Sequence, residues 1–410
     1  MSAAAEAETC AEAAATSWSR RSFTHSLLHS LDIAVNTRFL LPGDQLEGIG
    51  RFTYETLRRL VRQHPEHTFH FLFDRAFDKR YLFGPNVVPH VLGPPARHPL
   101  LFVAWFEGAV AAWLRRHRPA VLLSTDGFTT LMTSVPRVTV VHDLAFEHFP
   151  QDVSWLVRRY YHFFFPRFVR ASRRLVAVSE ATRQDVVQTY GVDPRRIDIV
   201  YNAADAHFRP LPAAAQPAVR QQFSGGRPYI LFVGALQPRK NLVNLLRAFD
   251  QFKTQTGSDT QLLIVGRKAW KAGPIFDVYQ QMQHQPAVHL TGRVTDEELV
   301  QLYGAARACA YVPYFEGFGI PIVEAQQSGC PVLTSDRSSM PEVAGPGGAL
   351  LADPFSVDEL AAALTRLDAD EALRAQLVQQ GFENVRRFSW DESARRLWRS
   401  IEAAVGEGGK

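Results

Sequence analysis

The chain has 410 residues, of which 46% are apolar and 21% charged, and its formal net charge is +4. That length exceeds what one hydrophobic core normally serves, so two domains are expected, with the composition of an ordinary soluble globular protein. So modest a charge argues against a strongly basic chain, and no nucleic-acid partner is expected.

Residues 1–22 are rich in Ala, Glu and Ser, with no basic segment ahead of an apolar one. They read as a disordered tail, running to residue 28, and not as a targeting signal. Cys10, Cys309 and Cys330 have no metal-like spacing, and an odd count without a secretory signal argues for a reducing cytoplasm. The longest apolar run, residues 99–114, is interrupted by Glu107 and is too short to span a membrane.

Residues 31–37 read as a buried first strand. Gly48 and Gly50 then precede a helix with Phe52, Leu57, Leu60 and Val61 at helical spacing. That junction is either a plain turn or a place for backbone to approach a ligand. Strands are expected at 68–73, 120–124 and 137–141, and a helix at 98–117. His142 and Asp143 follow the 137–141 strand, where open α/β sheets hand residues to a ligand crevice; the alternative for His142 is a turn or core histidine. From Arg97 to Leu175 the chain carries eleven Arg against five acids. Residues 154–175 mix aromatic clusters with arginine pairs. They are expected to form a packed helix pair bent at Pro166, its arginines reaching water, with a peripheral contact to anionic membrane as the alternative.

Strand 175–178, helix 179–190 and strand 197–200 continue the alternation, which predicts a mainly parallel sheet with right-handed crossovers. Between Phe208 and Arg227 the composition shifts to Pro, Ala, Gln and Gly, and the domain boundary is placed there. The expected domains are 29–212 and 213–386, followed by a terminal helix over 387–410.

Residues 229–233 restart the pattern and end at Gly234, a close turn. Arg239 and Lys240 come just before a helix at 241–249. A guanidinium fork and an ammonium point charge at a strand-to-helix junction suit a pyrophosphate; otherwise they are a surface pair. Strands follow at 261–265 and 288–290, then a helix at 295–306 with a capping-box pattern from Thr295 to Glu298.

The stretch 310–336 reads strand, glycine loop, helix, strand. Its loop holds Glu316, Gly317 and Gly319, its helix is expected from Pro321 to Ser328, and Gly329 and Pro331 end that helix. Free N–H groups at such a helix start suit a phosphate or a hydroxyl-rich ligand. Glu316 in the loop and Glu324, expected on the first helical turn, are placed to accept from the hydroxyls of a sugar and a ribose. A dinucleotide fingerprint fails, because Ile322 occupies the third glycine position. Further on, Asp368 and Asp370 form a DxD at an interhelix turn, where helix capping is expected and not a metal site. Trp390, Ala394, Leu397, Trp398 and Ile401 lie at helical spacing in the last segment.

Taken together, the Glu-x7-Glu run from Glu316 to Glu324, GALQPRKNL, VSEATRQDV, TGRVTDEEL, HDL and PEVAG resemble the retaining glycosyltransferases of GT-B fold, family 4, over nearly everything after Leu31. The resemblance implies an α/β chain of two Rossmann-like domains facing across a cleft, with the final helix crossing back to the first. It implies metal-independent transfer from a nucleotide sugar with retention, and no cofactor. By position, Arg239 and Lys240 would stabilise the leaving pyrophosphate, and Glu324 would accept from the ribose. Glu316, with the N–H groups of Phe318 and Gly319, would orient the donor sugar. His142 would touch that sugar, Gly48 to Gly50 would close over the phosphates, and Val294 would lie near the base. One departure concerns the loop: family members usually carry a Ser shortly before the first glutamate, where this chain has Pro313, Tyr314 and Phe315.

The RKNL motif and the segment around Trp270 look most like bacterial mannosyltransferases of polysaccharide assembly, which implies GDP-mannose as donor. The expected acceptor is a saccharide or lipid-linked saccharide, and the expected location is cytoplasmic, with a peripheral position at the inner membrane face as the alternative. The alternatives are a sugar-nucleotide epimerase or phosphorylase of the same architecture, or a non-catalytic nucleotide-sugar or membrane-binding module.

Overall fold

The computed structural model describes residues 30–406, apart from 42, 44, 45, 47 and 268–271. The tail expected over 1–28, Cys10 and Trp270 lie outside the described residues.

Two all-parallel sheets organise the chain. The first comprises β1 (Asp32–Asn36), β2 (Thr68–Phe73), β3 (Val87–Val91), β4 (Val121–Ser124), β5 (Arg137–Val141), β6 (Arg174–Ala177) and β7 (Ile197–Ile199), in the order β3-β2-β1-β4-β5-β6-β7. The second comprises β8 (Tyr229–Val233), β9 (Gln261–Val265), β10 (Val288–Gly292), β11 (Ala308–Tyr311), β12 (Val332–Ser335) and β13 (Leu350–Ala352), in the order β10-β9-β8-β11-β12-β13. Helices cover both faces, so central strands such as VLLS in β4 and QLLIV in β9 are buried at every position and read as unbroken apolar runs. Each order reverses once, between β1 and β4 in the first sheet and between β8 and β11 in the second. Ligands of open α/β sheets bind outside the strand carboxyl ends at such a reversal, which here points to the segments after β8 and β11.

The last helix, Trp390–Gly406, packs on the Gly48–Gln63 helix and on β4, β5, β6 and β7 of the first sheet. Trp390, Ala394, Leu397, Trp398 and Ile401 are all buried, as their spacing requires. Asp370 caps the Glu371–Val385 helix through the Leu373 N–H, while Asp368 accepts from Arg307 and Thr260.

Several elements differ from expectation. Trp155–Ala171 is one continuous helix with Pro166 inside it, not a bent pair. Tyr160, Phe165, Phe168 and Val169 are buried on both sides of the proline, and that shared face offsets its missing N–H bond. The 99–117 helix contains a π-helical stretch, Ala104–Val110, which turns Trp105, Phe106 and Val110 into the core. Two edge strands escape the sequence pattern, because β3 carries Pro89 and β13 has three residues. Helices Gln216–Ser224 and Gly273–Gln281 also lack a strong apolar period; the first lies in the stretch assigned to the boundary and packs on Asp296–Ala305 of the second domain. Among the described residues no helix is long and apolar enough to cross a membrane.

Candidate functional site

After β8 the chain makes a 3₁₀ turn, Pro238–Lys240, and Asn241 takes a left-handed conformation (φ 61°) before the Leu242–Thr256 helix. The Asn241 amide donates to the carbonyls of Val312 (3.0 Å) and Pro354 (2.7 Å), tying this turn to the end of β11. Asn tolerates that backbone region better than most residues. The consequence is that Arg239 and Lys240 face the loop that carries Glu316.

Arg239 Nη1 lies 2.7 Å from Glu316 Oε1, and Lys240 Nζ lies 2.6 Å from the same oxygen. Lys240 also donates to the Tyr311 hydroxyl at 2.6 Å. Burial disfavours the Glu316 charge, yet Arg239 and Lys240 outweigh it and hold the carboxyl below its ordinary value. Burial likewise opposes the Arg239 charge, and Glu316 and Asp143 overcome it, so Arg239 is raised. For Lys240 burial prevails over Glu316, and its pKa falls. Two cations thus share one carboxylate within a pocket, with Asp143 Oδ2 at 3.9 Å from Arg239.

The loop itself is fastened from across the second domain. Ser338 and Ser339 donate to the Glu316 carbonyl at 2.6 and 2.8 Å, and Ser339 also to that of Phe318 at 3.1 Å. These serines supply the loop with hydroxyls where the preceding segment has Pro313, Tyr314 and Phe315. The two aromatics are spent on packing: Phe315 lies 4.8 Å from His148 and 6.1 Å from Phe149. Tyr314 stacks on Phe355 at 4.7 Å.

Gly319 caps the helix in a left-handed conformation (φ 97°), and the helix runs Ile320–Gln327. Glu324 is therefore its fifth residue, on the second turn and not the first. It is buried and accepts from the Tyr303 hydroxyl at 3.1 Å. Burial raises its pKa against the opposing pull of Arg51 and Tyr303.

From the first domain, His142 at the end of β5 points its Nε2 at the Thr125 carbonyl, 2.7 Å away. A carbonyl only accepts, so Nε2 carries the proton and Nδ1 keeps its lone pair. Burial lowers the His142 pKa, although Thr125 and Asp143 oppose this. Gly48 and Gly50 fall inside the first turn of the Gly48–Gln63 helix and do not precede it.

His142, Arg239, Lys240, Glu316, Gly48, Gly50, Gly234, Val294, Phe318, Gly319 and Glu324 all line one cavity of about 870 Å³ between the domains. That volume lies within the range of small-molecule sites. Sequence reasoning missed Tyr311, Tyr303, Asn241 and the Ser338–Ser339 pair. Asn241, standing before a helix, carried the only local signal, as a residue able to adopt a left-handed turn.

Among the described residues, one group of His, Cys, Asp or Glu side chains has donor atoms close enough to hold a metal: His64, Glu66 and His67. The Leu31 N–H donates to His67 Nδ1 at 3.1 Å, so the ring proton sits on Nε2, which faces Glu66 at 3.4 Å. A protonated nitrogen has no lone pair for a metal. The trio instead fastens the end of a helix, with His64 stacked 3.7 Å from Trp398.

Two family models match the two halves: Glycosyltransferase Family 4 over residues 46–208 and Glycosyl transferases group 1 over 217–384. The chain is 27% identical over 360 residues to O-antigen chain mannosyltransferase B of Escherichia coli, covering 84% of this chain and 93% of that one. It is 32% identical over 257 residues to MMP alpha-(1->4)-mannosyltransferase of Mycolicibacterium hassiacum, covering 61% of this chain and 59% of the other. Among solved structures, sucrose-phosphate synthase from Thermosynechococcus elongatus matches with a TM-score of 0.73 at 18% identity, over 91% of this chain and 100% of that one. WaaG, a glycosyltransferase involved in lipopolysaccharide biosynthesis, matches with a TM-score of 0.71 at 17% identity, over 89% and 98%. The structural likenesses carry the architecture and the family models the class: the chain belongs to the GT-B glycosyltransferases of the group 1 and family 4 type, and it resembles bacterial mannosyltransferases.

Proposed function

We propose that the cleft binds a nucleoside diphosphate sugar and transfers the sugar to a hydroxyl of a saccharide or lipid-linked saccharide, with retention at the anomeric carbon and without a metal. The observation that carries the reading is the placement of Arg239, Lys240 and Glu316 at the strand reversal of the second sheet, in a cavity shared with His142. A diphosphate entering there takes over the two cations, whose charge is then directed at the leaving group as it develops. The N–H groups at the start of the Ile320–Gln327 helix add to that field. Glu316, freed from the cations, turns to the hydroxyls of the donor sugar, and Glu324 accepts from the ribose. His142, neutral and with Nδ1 unprotonated, meets the sugar from the first domain. Two basic side chains and a helix start supply the counter-charge that a divalent ion provides elsewhere, which supports transfer without one.

Mannose from GDP-mannose is the proposed donor, supported by the mannosyltransferase relatives. A thermal-shift comparison of nucleoside diphosphates and their sugars tests this, with GDP and GDP-mannose expected to stabilise most. Product NMR then reads the anomeric configuration, and transfer measured in chelator tests metal dependence. The first domain presents the acceptor side. Exposed Trp155 and Phe163 with Arg159 and Arg167 over their rings support an approach to anionic membrane, where a lipid-linked acceptor would lie.

A further inference from the structure

The PEVAG and VSEAT segments lie on different domains, yet they meet. The Glu342 carboxylate accepts from the backbone N–H of Glu180 (2.7 Å) and of Ala181 (2.9 Å), the first two residues of the Glu180–Tyr190 helix. A carboxylate there satisfies two N–H groups that have no partner within the helix and meets its positive end. At the same helix start, Ser179 Oγ donates to the Gly317 carbonyl at 2.6 Å, and Thr182 Oγ1 does so at 3.2 Å. Gly317 follows Glu316 directly, in the loop already described. One helix start on the first domain therefore grips the second domain twice, at Glu342 and at the glycine beside the catalytic carboxylate.

We propose that Glu342, Ser179 and Thr182 are positioning residues that form a clasp across the cleft, and that the clasp sets the Glu316–Gly319 loop for transfer. The inference rests on the glycosyl-transfer reading, but the clasp has a readout of its own. None of the three residues lines the cavity proposed for the donor. When the clasp opens, Gly317 loses both hydroxyl donors and the loop loses its hold on the first domain, while Arg239 and Lys240 keep their places on the second. Donor binding should then survive and turnover should fall.

The test uses the full chain with Glu342→Gln, which keeps the shape but replaces one of the two acceptor oxygens with an NH₂ group and so leaves one of the two N–H donors without an acceptor, and with Thr182→Val in case the first variant is poorly folded. Hydrogen exchange should quicken at 180–182 and at 316–319 in both variants. With GDP-mannose, kcat should fall at least about tenfold, the scale on which misplaced catalytic groups are felt, while the thermal shift produced by GDP stays as in the parent. Unchanged exchange at 316–319, or an unchanged kcat in a variant whose exchange has risen, would overturn the clasp. Failure of the parent chain to transfer sugar from any nucleotide donor would sink the functional reading instead, and exchange at 316–319 would still decide whether the clasp holds the loop.

Discussion

The backbone carbonyl of His142 lies against Gly317 so closely that a Cβ built on the glycine would sit 1.6 Å from that oxygen. This contact sets the residue after β5 directly against the loop after β11, so main chain meets main chain between the two halves of the site. Gly317→Ala cannot be absorbed by a side-chain shift, because the obstructing atom is main chain. The substitution is expected to push the loop from the first domain and lower kcat/KM by about 10²-fold or more, with the GDP-induced thermal shift retained. A kcat/KM within a factor of three of the parent would mean that the cleft works without this contact.

Glu316 carries the opposing charge for two half-buried cations, so its removal has two effects of different sign. Glu316→Gln leaves Arg239 and Lys240 with only the more distant Asp143 carboxylate, 3.9 Å from Arg239, to offset their charge, which should lower stability. A diphosphate replaces the lost charge. The variant's melting temperature should therefore lie below the parent's, rise further on adding GDP, and come with turnover reduced by about 10²-fold or more. A GDP shift smaller than the parent's would separate Glu316 from the anion site. Lys240→Ala is the complementary case: Arg239 still pairs with Glu316, and a cation whose burial lowered its pKa is gone. Its melting temperature should change little while kcat falls about 10²-fold, and an unchanged kcat would remove Lys240 from the mechanism.

Much of this site was legible because its chemistry is local in sequence. Arg239 and Lys240 are adjacent, Glu316 and Glu324 share one loop and helix, and buried parallel strands announce themselves as apolar runs. What could not be read is what meets only through space. Ser338 and Ser339 reach back to Glu316 from beyond the next strand, Asn241 reaches Val312 over 71 positions, and Glu342 reaches Glu180 over 162. The short edge strands β3 and β13 left no periodic signal, and Pro166 misled because a helix anchored on both sides tolerates a proline. The paired state of Arg239, Lys240 and Glu316 was also invisible, since the resemblance assigns the two cations to the pyrophosphate and Glu316 to the donor sugar.

Glu324 offers a test by pH. Burial pushes its carboxyl above the ordinary 4.5, against the pull of Arg51 and Tyr303. Well below 4.5 both states are protonated and no penalty exists. As pH rises through the window from 4.5 to the raised native value, the unfolded chain ionises first, so stability falls until the native carboxyl has also ionised. Glu324→Gln cannot ionise. In thermal melts without ligand, its melting temperature relative to the parent should be higher at pH 7.5 than at pH 4. A difference that is flat or falls with pH would show that Glu324 is not held in a desolvated pocket.

The Trp155–Ala171 helix carries the remaining prediction. Trp155 is 72% exposed and Phe163 52%, and Leu100, on the Pro99–Val103 segment that packs on this helix, is 68% exposed. Arg159 lies 5.6 Å from the Trp155 ring and Arg167 3.8 Å from that of Phe163, so cations flank the apolar groups. Rings that enter the headgroup region and arginines that meet acidic headgroups would add, with each arginine near the surface worth about 1 kcal/mol. Vesicles containing phosphatidylglycerol should therefore retain the protein. Binding should weaken between 0.05 and about 0.5 M salt as the charges are screened, and Trp155→Ala with Phe163→Ala should abolish it without lowering the melting temperature. Equal binding to neutral vesicles, or none to acidic ones, would return these side chains to the role of surface packing.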